Sequence, residues 1–304
     1  MIIPEASTSI CTATIMGATA TIAVFLSLTL SAIAKHLKFW SKETEKMQTA
    51  GYLGAKPGAI ETRLLRVLFA LKGIIESVEI KIVGQENFPS GRCIIVANHV
   101  DLGDTDVLSA IVGTRAGRFL ITAQEVPPND PEGIVMAMAG AIPVQMNSKI
   151  AKVKALRAAC KALVNDGPNA LLAIFPQGQL DIDETIAQET FKTGAAEIAR
   201  MAAAECETAI SIVPVGIHYK RDKNKVPFLH MILKKAFNFI LPNKRDGGLF
   251  FSESKYAAIA VIGQPLKISP DAPSDRDNIQ ADKTTVTARI YEMVKAAHEL
   301  ALLA

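Results

Sequence analysis

Residues 93–104 read Cys-Ile-Ile-Val-Ala-Asn-His-Val-Asp-Leu-Gly-Asp, and this stretch decides the fold. Its first half, Cys93–Ala97, is a short continuous apolar run, which predicts a β-strand buried on both faces. Polar residues follow at once, and a helix is predicted from Thr105 to about Val112. A buried strand that passes through a polar turn into a helix is typical of an α/β domain.

The same alternation continues along the chain. Further strands are predicted at 78–83, 119–122, 141–144, 170–175, 210–215 and 257–262, and helices at 133–139, 149–165, 195–205 and 284–302. This order favours a mostly parallel central sheet flanked by helices. Pro143 and Pro214 interrupt two strands, so we expect the first at an edge or end of the sheet and the second near a strand end.

Composition bounds the class of protein. The chain has 304 residues, 49% hydrophobic and 21% charged, which excludes a disordered or fibrous protein. The formal charge of +3 argues against a nucleic-acid binder. Because the four cysteines lie far apart without a CxxC pair or nearby histidines, we expect reduced thiols rather than disulfides or a zinc site. They are Cys11, Cys93, Cys160 and Cys206.

The first 77 residues are predicted to form an N-terminal membrane-associated helical segment. No charged residue occurs from Ala6 to Ala34, and Ile10–Ala34 is long enough as a helix to cross a hydrocarbon core of roughly 30 Å. The alternatives are a cleaved signal peptide, which the lack of Lys or Arg before the run disfavours, and a buried soluble helix. The basic residues that follow predict that the rest of the chain lies on the cytoplasmic side. They are Lys35, His36, Lys38 and Lys42.

A second helix is predicted from Ala59 to Ser77, with apolar residues at helical spacing. It is either an ordinary core-facing helix or one that lies in the headgroup region of a membrane. We therefore divide the chain into a membrane anchor with an amphipathic helix, residues 1–77, and an α/β domain, residues 78–304.

Chemistry-bearing residues follow the first buried strand. His99 and Asp104 are five residues apart, so a tight loop can bring the imidazole and the carboxylate together. A neutral imidazole takes a proton from a hydroxyl near neutral pH, and a carboxylate on its other nitrogen fixes the tautomer. Since the pair has no nucleophile of its own, the nucleophile would be a substrate hydroxyl. The alternative is that Asp104 only caps the following helix and His99 is a loop residue.

A second polar turn, Phe175–Gln179, follows another buried strand. In open α/β sheets, ligand crevices form at the carboxyl ends of strands. Gly178 permits close approach of the backbone, and amide groups of the turn are candidates for binding an oxyanion or a headgroup. The alternative is a bare structural turn. Pro214 is expected to shape a pocket wall.

Two further histidines have no recognisable motif. His218 lacks a partner in the sequence pattern and is expected to be structural. His298 lies on the predicted terminal amphipathic helix and is expected to be solvated.

In this order and spacing, three blocks resemble the lysophospholipid acyltransferase family, typified by bacterial 1-acylglycerol-3-phosphate acyltransferase. The resemblance covers roughly residues 78–265, and Phe191–Ala195 also looks like the family's sequence between the later blocks. The family's Asn-His-x4-Asp block is matched by Asn98, His99 and Asp104, its Phe-Pro-Glu-Gly-Thr-Arg block by Phe175, Pro176 and Gly178, and its aliphatic-Pro-aliphatic block by Val213, Pro214 and Val215.

The resemblance implies a membrane-anchored O-acyltransferase. His99, oriented by Asp104, would deprotonate a lysolipid hydroxyl, which attacks the thioester of acyl-CoA or acyl-carrier protein without an acyl-enzyme. The implied partners are the lipid bilayer, the lysolipid acceptor and the acyl donor, with no nucleic acid, no metal and no cofactor. The implied substrate-binding residues are Asn98, Phe175, Pro176, Gln177, Gly178, Gln179, Lys192 and Pro214.

Three positions depart from the family pattern. Gln177 stands where the family has Glu, and Leu180 and Met146 stand where it has Arg. A phosphate dianion needs charged partners, which Lys149, Lys192 or the basic run 220–225 would have to supply. The expected acceptor is 1-acylglycerol-3-phosphate. The alternatives are a lipid alcohol without a phosphomonoester, such as a glycolipid, and a non-catalytic lipid-binding relative.

Overall fold

Strands and helices alternate along the computed structural model, which describes residues 31–76, 79–221, 235, 255–271 and 276–304. The helices are α1 (31–46), α2 (Ala59–Glu76), α3 (Asp104–Val112), α4 (Pro131–Met138), α5 (Lys149–Asn165), α6 (Gly194–Cys206) and α7 (Arg276–Leu303). The strands are β1 (Glu79–Val83), β2 (Cys93–Ala97), β3 (Arg118–Thr122), β4 (Ala141–Val144), β5 (Leu171–Ile174), β6 (Ile210–Arg221), β7 (Lys255–Ile262) and β8 (Leu266–Ile268).

These strands form one sheet in the order β1-β7-β6-β2-β5-β3-β4, with β8 paired to β6. The strands from β2 to β6 run parallel to one another. β7 and β8 pair with β6 in the antiparallel sense, and β1 runs parallel to β7. The predicted α/β fold with a mostly parallel central sheet is therefore confirmed.

Helices cover both faces of the sheet. The sequence of β2 is apolar throughout because both faces of this strand are buried. Ile94 and Val96 face a core that α5, α6 and α7 cover, whereas Cys93, Ile95 and Ala97 face a core that contains residues of α3. All five residues are buried. Fully burying an isoleucine contributes roughly 1.5–3 kcal/mol, so this strand anchors the sheet and fixes the direction of the loop that follows it.

The two strand prolines differ in outcome. Pro143 lies on β4, the strand at one edge of the sheet, as expected. Pro214 was expected near a strand end, which is wrong, because β6 continues to Arg221. The reason is a change of neighbour: β8 pairs with β6 as far as Ile212, and β7 pairs from Val215 onward. The missing N–H of Pro214 falls in this gap, and its carbonyl accepts a hydrogen bond from Gly263 N at 2.9 Å.

Most of the predicted anchor, Ile10–Ala34, lies outside the described residues. Among the helices that the structure does describe, none has the length and apolar character needed to cross a bilayer. α1 and α2 pack onto the α/β domain, because Trp40, Met47 and Leu65 share a buried cluster with residues of α4. The division of the chain after residue 77 stays a prediction.

Candidate active site

The carboxyl ends of β2 and β5 bring two of the sequence blocks together. These strands are parallel neighbours, and Val96 pairs with Ile174, so the residues that follow each strand emerge side by side. The His99 ring consequently stacks on the Phe175 ring, with 4.0 Å between centroids and 12° between planes. The parallel alignment of the two strands thus brings the two loops side by side.

His99 and Asp104 form a hydrogen-bonded pair. His99 Nδ1 lies 2.8 Å from Asp104 Oδ2, the His99 side chain is 21% exposed, and the Asp104 side chain is fully buried. A carboxylate only accepts hydrogen bonds, so the neutral imidazole carries its proton on Nδ1. Nε2 is then the nitrogen with a lone pair available for a substrate proton.

Asp104 is held by three further donors. Its Oδ2 accepts from the backbone N–H groups of Val100 at 2.8 Å and Asp101 at 3.1 Å, and its Oδ1 accepts from the Tyr219 hydroxyl at 2.8 Å. Its place in the first turn of α3 also favours a negative charge. These donors therefore fix the orientation of the buried carboxyl group.

Tyr219 is a member of the site that sequence reasoning missed. Burial, together with the charge of Asp104, raises its pKa well above the usual value, so the hydroxyl stays protonated and donates to Asp104. It lies on the part of β6 beyond Val215, where the sequence predicted the strand to end. The continued apolar-polar alternation from Ile217 to Lys220 is the signal that could have extended the strand.

Asn98 holds the loop that carries His99. Its side-chain Nδ2 donates to Ile217 O at 2.9 Å, and its Oδ1 accepts from Ile217 N at 2.7 Å. The side chain thus continues the pairing of β2 with β6 beyond Ala97, and it is fully buried. We therefore revise its expected role from substrate binding to positioning.

Gln177 also braces the His99 backbone. Its Oε1 accepts from His99 N at 2.9 Å, and its Nε2 donates to Asp181 Oδ2 at 3.0 Å. Asp181 N in turn donates to His99 O at 2.6 Å, so both polar backbone groups of His99 are engaged. An amide can accept and donate at once, whereas a carboxylate at this position would face that of Asp181. The glutamine that stands in place of the family's Glu thus pairs with Asp181. Gln177 was expected to bind substrate, but it is buried and positions the His99 backbone.

Gln177→Glu is expected to lower the free energy of unfolding at neutral pH by about 1–3 kcal/mol, because it replaces the hydrogen bond from Gln177 to Asp181 by two carboxylates that face each other. Protonation of the pair at low pH restores a donor, so the loss is smaller at pH 5 than at pH 8. Urea denaturation at both pH values measures it. Gln179→Glu, two residues away and exposed, is the matched control. Equal stability of the two variants would contradict this role of Gln177.

The remaining residues of the second block form a tight turn covered by a lysine. Gly178 has φ +67°, and its N–H donates to Phe175 O at 3.1 Å, so this amide serves the turn and not an oxyanion. A Cβ on Gly178 would lie 2.5 Å from Lys192 Nζ, which places the ammonium directly over the turn. Lys192 N donates to Pro176 O at 3.1 Å, and Pro176 is buried.

Lys192 brings positive charge to the turn at Gly178, two residues before Leu180, which stands where the family has Arg. Partial burial, and then the nearby charge of Lys152, lower the pKa of Lys192. Lys192 and Lys152 are thus close enough for their charges to affect each other, an arrangement suited to an anionic group. Lys149 is exposed at the start of α5, and residues 222–225 of the basic run lie outside the described residues.

Of the two histidines without a motif, His298 was wrongly predicted, and His218 has a partner. His298 is buried rather than solvated, since it lies on the face of α7 that packs against β6. His218 has a partner that the sequence did not reveal, because its Nδ1 lies 2.8 Å from Glu184 Oε2.

Comparison with known proteins gives a family match to the segment that contains these residues. Residues 79–218 match the family model described as Acyltransferase, and this segment contains His99, Asp104 and the turn at Phe175. A search of curated proteins gave no match. One similar solved structure is the crystal structure of the 1-acyl-sn-glycerophosphate acyltransferase PlsC from Thermotoga maritima. It is 19% identical, with a TM-score of 0.48, and the match covers 77% of this chain and 80% of that chain.

Proposed function

On the basis of the match of residues 79–218 to the Acyltransferase family model, we propose that this chain moves a fatty acyl group from acyl-CoA or acyl-carrier protein to a lysolipid hydroxyl. The observation that supports the proposal most is the pairing of a solvent-accessible imidazole with a fully buried carboxylate where two parallel strands end. This is the geometry of a general base that acts on a bound alcohol.

In the proposed reaction, His99 Nε2 takes the proton of the acceptor hydroxyl while the oxygen attacks the thioester carbonyl carbon. Asp104 stabilises the imidazolium that forms. The tetrahedral intermediate collapses as the C–S bond breaks, and the imidazolium returns its proton to the leaving thiolate. The products are the ester and the free thiol. Burial raises the pKa of the Cys93 thiol to about 11, so it stays protonated and is no rival nucleophile.

Lys192 supports lysophosphatidate, 1-acylglycerol-3-phosphate, as the acceptor. Its ammonium over the turn at Gly178, with Lys152 nearby, offers positive charge for a phosphate close to His99. Met146 and Leu180 supply no charge, and this favours a second candidate, a lipid alcohol without a phosphomonoester.

A matched pair of acceptors separates the two candidates. Purified protein is given acyl-CoA with either lysophosphatidate or monoacylglycerol, which differ only in the phosphate, and thiol release is measured. We expect release with lysophosphatidate, and an increase of about tenfold or more in its KM in Lys192→Met, the scale of a lost charged hydrogen bond. Lys161→Met, which removes an exposed lysine farther along α5, is the control. Equal use of both acceptors would favour the second candidate, and no release with either would contradict the proposed function.

An exposed apolar face of α2 supports membrane docking near this site. Ile60, Leu64, Val67 and Leu71 recur at intervals of three and four residues, and each is between 51% and 64% exposed. Such spacing places them on one side of the helix. α2 packs against α3, which begins at Asp104, so a bilayer beneath this face would present lipid beside the catalytic pair.

Exposed cations occur on α2 and on the neighbouring helix α1. They are Lys35, Lys38 and Lys42 on α1 and Arg63 and Arg66 on α2. Basic groups beside an apolar stripe are typical of helices that lie on anionic leaflets, which supports docking at the cytoplasmic side. Sedimentation with phosphatidylglycerol-containing vesicles tests this part of the proposal. Leu64→Gln with Leu71→Gln should weaken binding to the vesicles, whereas Ile150→Gln on α5, 71% exposed, should not.

A further inference from the structure

Glu184, His218 and His298 form a second cluster of chemistry-bearing side chains, separate from the catalytic pair. Glu184 lies in the loop between β5 and α6, His218 on β6 and His298 on α7. His218 Nδ1 is 2.8 Å and His298 Nε2 is 3.0 Å from the same oxygen, Glu184 Oε2. From this convergence we propose that the three side chains bind a divalent transition-metal ion, Zn²⁺ above all.

The ligand set fits that ion. Two imidazole nitrogens and one carboxylate oxygen are ligands that Zn²⁺ prefers, whereas Mg²⁺ and Ca²⁺ prefer oxygen alone. The three ligand atoms lie within 4.8 Å of one another. Zinc bonds of about 2.1 Å at tetrahedral angles separate ligand atoms by about 3.4 Å. Each His–Glu pair therefore has to open by about half an ångström, while the two histidine nitrogens already lie within 4.8 Å of each other.

The protons of the cluster can be accounted for when a metal ion replaces the two His–Glu hydrogen bonds. In each His–Glu pair the ring nitrogen that faces Glu184 donates a hydrogen bond to the carboxylate oxygen. When the metal binds, that proton moves to the other ring nitrogen, and the freed lone pair becomes the ligand. A carboxylate and two neutral imidazoles leave one positive charge on the bound ion, and its fourth position is open to water.

The backbone supports this arrangement. A Cβ on Gly216 would lie 2.1 Å from His298 N, so only glycine on β6 lets α7 approach closely enough to bring His298 to the cluster. Glu184 has φ +55°, a left-handed conformation that is uncommon for a residue with a Cβ. The side chains of His298, Glu184 and His218 are 5%, 15% and 20% exposed, which leaves a route for an ion from solvent.

Metal binding at this cluster would stabilise the loop that braces the catalytic histidine. Glu184 N donates to Asp181 O at 3.1 Å, and Asp181 contacts both Gln177 and His99 O. An ion held by Glu184 therefore ties this loop to β6 and α7 close to its contacts with His99. We expect bound Zn²⁺ to act structurally, and the acyl-transfer mechanism needs no step at the metal.

The test uses the full chain, freed of metal by chelation and titrated with ZnCl₂ alone in a calorimeter. We expect one Zn²⁺ per chain and a rise in the melting temperature, since a ligand that binds only the folded state stabilises it. Glu184→Gln keeps a hydrogen-bond acceptor, so it should fold yet bind Zn²⁺ at least about tenfold more weakly, and His298→Ala should do the same.

Two control variants locate the ion. His36→Ala removes the ring of another His–Glu pair, His36 with Glu61, and should bind Zn²⁺ as the wild type does. His99→Ala should also bind normally, which separates this site from the catalytic pair and from the proposed function. Absence of saturable binding to the wild type, or undiminished binding to Glu184→Gln and His298→Ala, would overturn the proposal.

Discussion

Replacement of His99 by alanine is expected to lower acyl transfer by about 10²–10⁴-fold, the usual contribution of a general base. The reason is the loss of Nε2 as acceptor of the hydroxyl proton. The measurement is thiol release from acyl-CoA that depends on added lysolipid. The loss should appear in kcat rather than in KM, because neither substrate needs the imidazole in order to bind.

The fold of this variant should survive. Asp104 keeps its donors Val100, Asp101 and Tyr219. Gln177 hydrogen-bonds to the backbone of residue 99 and not to its side chain, so this contact also survives. A melting temperature close to that of the wild type checks this. A folded variant with full activity would contradict the role of His99.

Asp104→Asn is expected to lower kcat by roughly 10³–10⁴-fold, because a neutral amide does not stabilise the imidazolium and can favour the wrong histidine tautomer. It should also lower the free energy of unfolding by about 1–3 kcal/mol, since a fully buried group loses hydrogen bonds to a charge. Lysolipid-dependent thiol release and urea denaturation give the two values.

Tyr219→Phe is expected to have a smaller effect than Asp104→Asn. It removes one of four donors to Asp104 and leaves the charge in place. A positioning role predicts a kcat loss of about tenfold, the scale of one hydrogen bond to a charge, with an unchanged KM. If Asp104→Asn were no more damaging than Tyr219→Phe, the carboxylate charge would have no part in catalysis.

Local patterns were enough to predict most of the fold. The apolar run of β2 and the spacing of His99 and Asp104 each depend on a few neighbouring residues, and the structure places both as expected. Pro143 could be assigned to an edge because proline weakens any ladder that needs its N–H. These patterns depend on residues within one short segment, so they can be recognised in a single sequence.

The features that the sequence did not predict depend on which segments become neighbours in the fold. Pro214 sits inside β6 because β8 ends and β7 begins beside it, and no local pattern contains that information. The same extension of β6 brings Tyr219 to Asp104 and His218 to Glu184. The role of Gln177 required knowing that Asp181 folds back onto His99. These contacts join segments that are far apart in sequence.

Chemical rescue of His99→Ala by imidazole tests the central claim most directly. The space left by the ring lies against Phe175 and beside Asp104, so added imidazole should occupy it and take the hydroxyl proton. We predict that lysolipid-dependent thiol release by His99→Ala rises with imidazole concentration and saturates, and that it does not rise when Asp104→Asn is also present. Wild-type release by His99→Ala without imidazole would contradict the claim that His99 is the base.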